Sequence, residues 1–330
     1  MDRELGSIGP AIFPVGLGAM AMSGIYGPAH DDESIATIRA ALDVGLNLLD
    51  TGDFYGMGHN ELLISRALQG LGRDDVLISV KFGAQRGPDG SWLGYDASPA
   101  AVKTALAYSL TRLSADHVDV YRPARLDPQV PIEETVGAIG ELVEAGYVRY
   151  VGLSEVGSET IRRAAEVHPI TDLQIEYSLI SRGVERTILS TCRELGIAIT
   201  AYGVFSRGLL SGRYAPGGPS NNRDMRHLLP RFQGENLERN LRLVAALEEI
   251  AEELGATVPQ LALAWVLSRG EDIVPLVGSR TRDQLADALG ALDLQLTPEQ
   301  LERIERVVPP DAAAGSRYGD AQMADLDSER

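Results

Sequence analysis

The chain has 330 residues, of which 44% are hydrophobic and 23% are charged, the composition of a folded protein with a large core. Its 47 acidic and 30 basic residues give a net charge of −17, so its long-range field repels nucleic acid and anionic lipid, and neither is expected as a partner. No N-terminal apolar run resembles a signal peptide and no apolar run of about 18 residues could span a bilayer, so the sequence predicts a cytoplasmic protein with no membrane segment.

Short apolar runs rich in β-branched residues alternate with amphipathic helical patterns along the chain. The predicted strands are 14–20, 46–50, 76–81, 118–122, 148–154, 172–177, 197–203 and 272–278. The predicted helices are 32–45, 60–72, 98–114, 131–146, 158–168, 183–196 and 283–292. This alternation predicts parallel strands joined by crossover helices, and eight strands favour a closed (β/α)8 TIM barrel over an open doubly wound sheet. We therefore predict a single barrel domain over residues 1–330.

Some segments lie outside the eightfold pattern. The N-terminal stretch RELGSIGPAIFPVG (3–16) is predicted to form a hairpin that closes the bottom of the barrel. A loop over 206–236, rich in Gly, Arg, Pro and Asn, is followed by two extra helices before the last strand, 237–254 and 258–269. A loop of that length is usually a lid or a binding loop. The final stretch, 309–330, is predicted to be a mobile tail.

Charged side chains close two neighbouring predicted strands. Asp50 ends the strand before DTGDFYGMGHNE, and Lys81 ends the next strand. Because active sites of such barrels lie at the carboxyl ends of the strands, we expect these two residues to pair there. Tyr55 is the first phenol of the adjoining loop, and a nearby lysine stabilises phenolate, which would lower its pKa from about 10 toward neutrality. Each residue also has a purely structural alternative. Asp50 would be a turn or helix-cap carboxylate, Lys81 would extend to solvent at the barrel rim, and Tyr55 would only form part of the wall.

A second candidate site follows the last predicted strand, in the sequence VGSRTRDQL (277–285). Gly278 lets a ligand approach the backbone, and Ser279 can bind an oxygen atom. Arg280 and Arg282 add positive charge at a helix start, which suits a phosphate monoester, and barrels often hold phosphate after strands seven and eight. The alternative is an ordinary capped helix with exposed arginines.

The chain resembles the aldo-keto reductase family over nearly its full length. The motifs that carry the resemblance are GLGAMAMSGIYG (16–27), LDTGDFYGMGHNE (49–61), Lys81, VDVYRPARLDP (118–128), GYVRYVGLSE (146–155), QIEYS (174–178), AYGVFSRGLLSGR (201–213) and PLVGSRTRDQL (275–285). They occur in the family's order, each at a predicted strand end. The resemblance implies an oxidoreductase that reduces an aldehyde or ketone with NADPH, the cofactor lying extended across the barrel mouth.

The resemblance also implies roles for individual residues. Tyr55 matches the general acid, and Lys81 and Asp50 match the pair that tunes it. Ser154 and Gln174 match positions that hold the nicotinamide carboxamide. The implied cofactor site consists of Gly18, Ala19, Met20, Asp50, Ser154, Gln174, Tyr202, Gly203, Val204, Phe205, Ser206, Arg207, Ser211, Gly278, Ser279, Arg280 and Gln284. The last four of these match a pocket for the adenosine 2′-phosphate, so the resemblance implies NADPH rather than NADH.

The main departure from the family concerns the end of the fourth predicted strand. The family's histidine, which donates to the carbonyl oxygen, falls on Ala124, whose methyl group cannot donate. Either the vacated space admits a bulkier or tilted carbonyl, or a neighbouring donor or water replaces the imidazole. The predicted substrate residues are Tyr26, Trp92, Ala124 and Arg125. Arg125 is expected either to meet an anionic group or to form a turn clamp with Asp127.

The sequence is also compatible with other functions. The missing histidine is compatible with an NADP(H)-binding redox sensor or auxiliary protein of the same fold with weak turnover. A phosphate-binding isomerase or aldolase would use Lys81 as a Schiff-base nucleophile. No metal is expected, because the five histidines are scattered without ligand spacing. The single cysteine, Cys192, excludes an internal disulfide framework and is expected to be a core thiol rather than a nucleophile.

Overall fold

The computed structural model describes residues 2–212, 214 and 224–330, so residues 213 and 215–223 of the predicted lid loop lie outside the described residues. In this described part, parallel strands close into an eight-stranded barrel in which each strand pairs with its neighbour in sequence order. The first to eighth barrel strands are Gly16–Gly18, Leu48–Gly52, Leu77–Phe82, Val118–Pro123, Val148–Ser154, Ile170–Glu176, Ala198–Tyr202 and Ile273–Val277. The predicted (β/α)8 TIM barrel is confirmed.

The helices surround the barrel and follow the predicted order. The α-helices are Asp31–Asp43, His59–Ala67, Pro99–Leu113, Ile132–Glu144, Ser158–Val167, Ile188–Leu195, Gly234–Glu253, Val258–Leu267, Arg282–Leu289, Pro298–Val307 and Asp320–Ala324. Short 3-10 helices are Met20–Ser23, Tyr55–Gly58, Arg73–Asp75, Gly183–Glu185, Ser206–Ser211, Met225–Leu228, Pro230–Phe232, Gly290–Asp293 and Asp327–Glu329. The two extra helices predicted before the last strand are therefore confirmed. Among the described residues, no helix is both long and apolar enough to cross a lipid bilayer.

The N-terminal hairpin closes one end of the barrel, as predicted. Strand Arg3–Glu4 pairs antiparallel with Ala11–Ile12. Leu5 and Ile12 are both buried and pack in one cluster with interior residues of the barrel strands. Burying these apolar side chains fills the barrel end and seals it from water. The opposite end, where the strands finish, is left for ligands.

A second hairpin, which the sequence pattern did not reveal, follows the third barrel strand. It pairs Ala84–Arg86 with Trp92–Tyr95 in antiparallel register. Trp92 is 45% exposed on this hairpin, with its ring against Tyr95 and beneath Arg86. These contacts keep the indole on the outside of the hairpin.

The C-terminal segment differs from the predicted mobile tail. Residues 309–330 pack onto the barrel mouth, where Leu326 is buried and Arg317 is 7% exposed. The Asp327 carboxylate accepts a hydrogen bond from the Gly157 backbone N–H, at 2.7 Å. Composition gave the wrong expectation because the segment has few apolar residues, whereas its anchoring comes largely from hydrogen bonds and buried ion pairs.

Candidate active site

A cavity of about 440 Å³ lies at the carboxyl ends of the barrel strands. Both candidate sites of the sequence line this one cavity. The predicted residues in its wall are Gly18, Met20, Tyr26, Asp50, Tyr55, Lys81, Arg125, Gln174, Tyr202, Gly203, Val204, Phe205, Arg207, Ser211, Gly278, Ser279, Arg280 and Gln284. The barrel thus brings together residues that are up to 266 positions apart, from Gly18 to Gln284.

Five predicted residues do not line this cavity in the described structure. Ala19, Ser154 and Ser206 are buried behind its surface, and Trp92 lies on the outer hairpin. Ala124 is 3% exposed, and its backbone N–H donates to the Phe82 carbonyl at 2.8 Å. Ala124 is therefore not part of the cavity surface in the described structure.

The charged pair predicted at the ends of the second and third barrel strands is present. Asp50 and Lys81 are 4% and 3% exposed, and Lys81 Nζ lies 2.6 Å from Asp50 Oδ1. The other Asp50 oxygen accepts from Gln174 Nε2 at 2.7 Å. Lys81 Nζ also lies 5.0 Å from the centroid of the Tyr55 ring. Because the Lys81 ammonium is engaged by Asp50, a Schiff-base role for this amine is disfavoured.

The acidity of Tyr55 differs from the sequence expectation. Burial, then the Asp50 carboxylate, raises the pKa of Tyr55 well above its usual value. Asp50 offsets the charge of Lys81, and the Arg125 guanidinium lowers the pKa of the phenol only in part. Tyr55 is therefore fully protonated at neutral pH, as a proton donor must be, but it is a weaker acid than the lysine alone would make it.

Arg125 extends from the end of the fourth barrel strand into the cavity wall. Its Nη1 donates to the Ala124 carbonyl at 2.6 Å and lies 3.5 Å from Ser154 Oγ. Its Nη2 lies 3.4 Å from the Tyr318 hydroxyl. The guanidinium therefore contacts the backbone of Ala124, the position onto which the family's histidine falls.

The alternative prediction of a clamp between Arg125 and Asp127 does not hold. Asp127 is 5% exposed and its carboxylate accepts backbone N–H groups of Ala97 and Gln129, at 3.0 and 2.9 Å. The aspartate is the turn residue, because one of its oxygens fixes the following loop and the other binds the backbone just before the helix Pro99–Leu113. Arg125 is left to face the cavity.

A buried carboxylate after the fifth barrel strand binds the C-terminal segment. Glu155 accepts from Arg317 and from Ser328 Oγ, both at 2.6 Å, and from the Tyr202 hydroxyl at 2.7 Å. Burial alone would raise the pKa of Glu155, but the Arg317 guanidinium outweighs it and holds that pKa far below its usual range. Arg317 was missed in the sequence because its partner lies 162 residues away in a segment predicted to be mobile.

A second buried carboxylate, Glu176, holds the loop after the seventh barrel strand. Arg207 Nη2 lies 2.9 Å from Glu176, and its guanidinium stacks 4.5 Å from the centroid of the Tyr318 ring. Despite burial, Arg207 and two further arginines lower the pKa of Glu176 to about 2. Tyr318 reaches the cavity and contacts the Tyr202 hydroxyl at 2.9 Å. No local sequence signal marks Tyr318 as a cavity residue.

A charged pair lies in the barrel interior below Asp50. Arg122 is 1% exposed, and its Nη1 lies 2.8 Å from Asp172 Oδ2. Arg122 Nη2 donates to Ser79 Oγ at 2.9 Å, and Ser79 Oγ donates to Asp50 at 3.1 Å. A Cβ atom at Gly152 would lie 2.7 Å from Asp172, so glycine leaves the room that this pair needs. The chain of contacts fixes Asp50 from beneath.

The residues of the predicted phosphate pocket also line the cavity. Ser279 is 1% exposed, and its Oγ has no hydrogen-bond partner among the described residues. Gln284 accepts from the Arg280 backbone N–H at 2.9 Å and so fixes that loop. Arg226, which the sequence reasoning missed, also lines this cavity. Arg282 turns away and pairs with Glu33 at 2.9 Å, so it does not join the pocket.

The remaining chemistry-bearing residues lie apart from this cavity. Cys192 is fully buried, and burial raises the pKa of its thiol to about 12, which confirms the core interpretation. In the described ranges, no group of three or more His, Cys, Asp or Glu residues is arranged to hold a metal ion.

Asp53, in the loop before Tyr55, is a partly buried carboxyl with a testable pH effect. Burial, then Glu61, raises its pKa to about 7. The pKa of this carboxyl in the unfolded chain is near 4. Between about pH 4 and pH 7 the folded protein therefore holds a proton that the unfolded chain has released, so the free energy of unfolding falls as the pH rises. We expect Asp53→Asn to stabilise the protein by roughly 2 kcal/mol at pH 8 and by less at pH 5, measured by urea unfolding. The exposed Asp43→Asn is the control, and an equal gain for Asp53→Asn at both pH values would contradict the assignment.

The structure is thus a TIM barrel with a tyrosine and a buried Asp–Lys pair at the strand ends. The model of the Aldo/keto reductase family matches residues 14–309, and the chain belongs to that family. It is 42% identical over 319 residues to "Probable aldo-keto reductase 1" of Glycine max, covering 96% of this chain and 91% of that protein.

Solved structures show the same fold. The glycerol dehydrogenase AKR11B4 from Gluconobacter oxydans is 29% identical with a TM-score of 0.84, covering 93% of this chain and 94% of that chain. An aldo/keto reductase from Klebsiella pneumoniae in complex with NADP and acetate is 26% identical with a TM-score of 0.73, covering 93% and 95% of the two chains.

Proposed function

We propose that the protein reduces an aldehyde or ketone to the alcohol with NADPH, and that Tyr55 is the general acid. The observation that carries this proposal is one cavity with Tyr55, Lys81 and Asp50 at one part of its wall and Ser279 and Arg280 at another. A small-molecule carbonyl compound would enter beside Tyr55, whereas the extended cofactor would connect the two regions.

The described residues fit such a cofactor. Ser279 offers a buried hydroxyl without a protein partner, and a Cβ built at Gly278 would meet nothing within 4 Å, so a ligand can approach the backbone there. Arg280 adds a guanidinium, which favours the 2′-phosphate of NADPH over the hydroxyl of NADH. Gln174 and Tyr202 would hold the nicotinamide, with Ser154 behind them. The family member from Klebsiella pneumoniae that is solved with NADP supports this choice.

In this reaction the cofactor would supply the hydride and the protein would supply the proton. When bound, the reduced nicotinamide supplies the hydride that the carbonyl carbon accepts. Tyr55 gives its phenolic proton to the carbonyl oxygen, so the alcohol forms without a free alkoxide. Lys81 lies against the ring of Tyr55 and stabilises the charge that the phenol acquires, while Asp50 holds the ammonium in place. Gln174 is fixed by the same carboxylate.

The test is consumption of NADPH and of NADH against a panel of aldehydes, ketones and quinones, with cofactor binding followed separately by fluorescence. We expect turnover with NADPH on at least one carbonyl class and a lower kcat/KM with NADH. Tight NADPH binding without turnover on any compound would instead support the redox-sensor or auxiliary function, which the alanine at position 124 leaves open. Absence of NADPH binding would overturn both.

Ala124→His restores the donor that the family places here. We expect at least a tenfold gain in kcat/KM on small aldehydes, because one lost oxyanion donor costs about 10²–10³ in rate in other enzymes. Ala124→Leu is the matched control, since it fills the same space without a donor. Steady-state reduction of acetaldehyde and propanal is the measurement. If neither variant changes turnover of any aldehyde, the lack of a hydrogen-bond donor at position 124 has no catalytic consequence.

A further inference from the structure

The cationic side chains that line the cavity are Lys81, Arg125, Arg207, Arg226 and Arg280. Arg226 and Arg280 line it together with Gly278 and Ser279, in the region that would meet the cofactor phosphates. Arg125 instead follows the fourth barrel strand, and its Nη1 and Nη2 lie 3.5 Å from Ser154 Oγ and 3.4 Å from the Tyr318 hydroxyl. The phosphates of the cofactor account for Arg226 and Arg280, but not for Arg125.

Arg125 also differs in its partners from two other cations of the cavity wall. Lys81 pairs with Asp50, and Arg207 pairs with Glu176. Within the described chain, no carboxylate oxygen lies within 4.0 Å of an Arg125 guanidinium nitrogen, the distance limit for an ion pair. The contacts of this guanidinium are one carbonyl and two hydroxyl groups.

The carboxylate of Glu155, whose charge acts on Arg125, is already engaged. Glu155 acts on Arg125 through space, but its oxygens are taken by Arg317, Ser328 and Tyr202. The hydrogen-bond contacts of Arg125 are a carbonyl and two hydroxyl groups, so some of its five N–H donors remain for an anion that enters the cavity.

We propose that Arg125 binds the carboxylate of an anionic carbonyl substrate, an inference that rests on the reductase function proposed above. A planar guanidinium fork matches a carboxylate with two parallel hydrogen bonds. Tyr26, Phe54 and Tyr318 line the same cavity and would contact an apolar or aromatic body. The substrate class is therefore an aldehyde or ketone that carries a carboxylate on an apolar or aromatic frame.

Such an anchor would also orient the reacting group. With the carboxylate held at Arg125, the carbonyl of the same molecule is restricted to positions beside Tyr55, which lines the same part of the cavity. Fixing the substrate in this way replaces, through positioning, part of what the absent histidine would supply. Arg125 is thus a specificity residue in addition to its electrostatic effect on Tyr55.

The test compares 2-, 3- and 4-carboxybenzaldehyde with their methyl esters, which keep the aldehyde and remove the charge. We expect the wild type to prefer at least one acid over its ester by about tenfold or more in kcat/KM. Arg125→Met should abolish this preference, and Arg125→Lys should retain part of it. Arg306→Met, an exposed arginine on the helix Pro298–Val307, is the matched control.

The two possible failures are distinguishable. An equal loss of kcat/KM on the acids and on the esters in Arg125→Met would overturn the anchor. It would restrict Arg125 to its effect on Tyr55, because loss of that positive charge raises the barrier for both kinds of substrate. A wild type with no preference for any acid would overturn it as well. Titration of the NADP-bound protein with benzoate and benzamide gives a readout without turnover. Benzoate binding that requires Arg125 would support the anchor even if no aldehyde were reduced, in which case only the reductase function fails.

Discussion

Tyr55→Phe is expected to reduce turnover by at least about 10³-fold while leaving NADPH binding nearly unchanged. The variant removes one hydroxyl and keeps the ring, so the contacts with Lys81 and with Phe54 survive. A positioned general acid contributes about 10²–10⁴ in rate, and Ala124 offers no second donor to compensate its loss. The measurement is single-turnover reduction of the best aldehyde from the panel, with the NADPH dissociation constant determined by fluorescence.

The control for this variant is Tyr108→Phe. Tyr108 is 61% exposed on the helix Pro99–Leu113 and is distant from Tyr55 in the sequence. Turnover within about threefold of the wild type in Tyr55→Phe would remove Tyr55 from the role of general acid. The weak acidity of Tyr55 makes the pH dependence informative. Since burial and Asp50 raise the pKa of the phenol, kcat should stay flat through pH 9 rather than fall near neutrality.

Arg122→Met is expected to destabilise the protein by about 3–5 kcal/mol. The substitution leaves Asp172, which is fully buried, without its cation in the barrel interior. Removing one partner of a buried pair costs more than removing both, because the remaining charge keeps its desolvation penalty. Burial also raises the pKa of Asp172 in the intact protein, which indicates how costly the charge is at that position. Urea unfolding at pH 7 measures the loss.

The double variant Arg122→Met/Asp172→Asn is the matched control for this pair. The amide removes the charge but retains an acceptor for the Thr200 hydroxyl, which donates to Asp172. We expect the double variant to recover at least half of the stability lost in the single variant. A double variant as unstable as Arg122→Met would mean that the packing of Arg122, rather than the buried charge, carries the effect. Because Arg122 also binds Ser79 beneath Asp50, turnover should fall in both variants.

The sequence determined the architecture because barrel strands and helices are defined by local periodicity. Alternation of apolar strands with amphipathic helices indicated eight units, and a charge at the end of an apolar strand marked Asp50 and Lys81. Their pairing also followed from sequence, since adjacent strands in a parallel barrel end side by side. The hairpin at 3–16 and the helices before the last strand were visible for the same reason, as compact local patterns outside the eightfold repeat.

Only the tertiary structure decided how charges are shared at the barrel mouth. Arg317 and Tyr318 meet Glu155, Tyr202 and Arg125 across more than 100 residues of sequence, and no local pattern encodes such a contact. Arg125 turns into the cavity because the Asp127 carboxylate is already occupied by backbone N–H groups.

The acidity of Tyr55 depends on burial and on the net charge around it, which neighbouring sequence letters do not reveal. A sequence fixes which side chains stand at the strand ends. Their ionisation and partners arise from the low-dielectric interior and long-range contacts that the closed barrel and its packed C-terminal segment create.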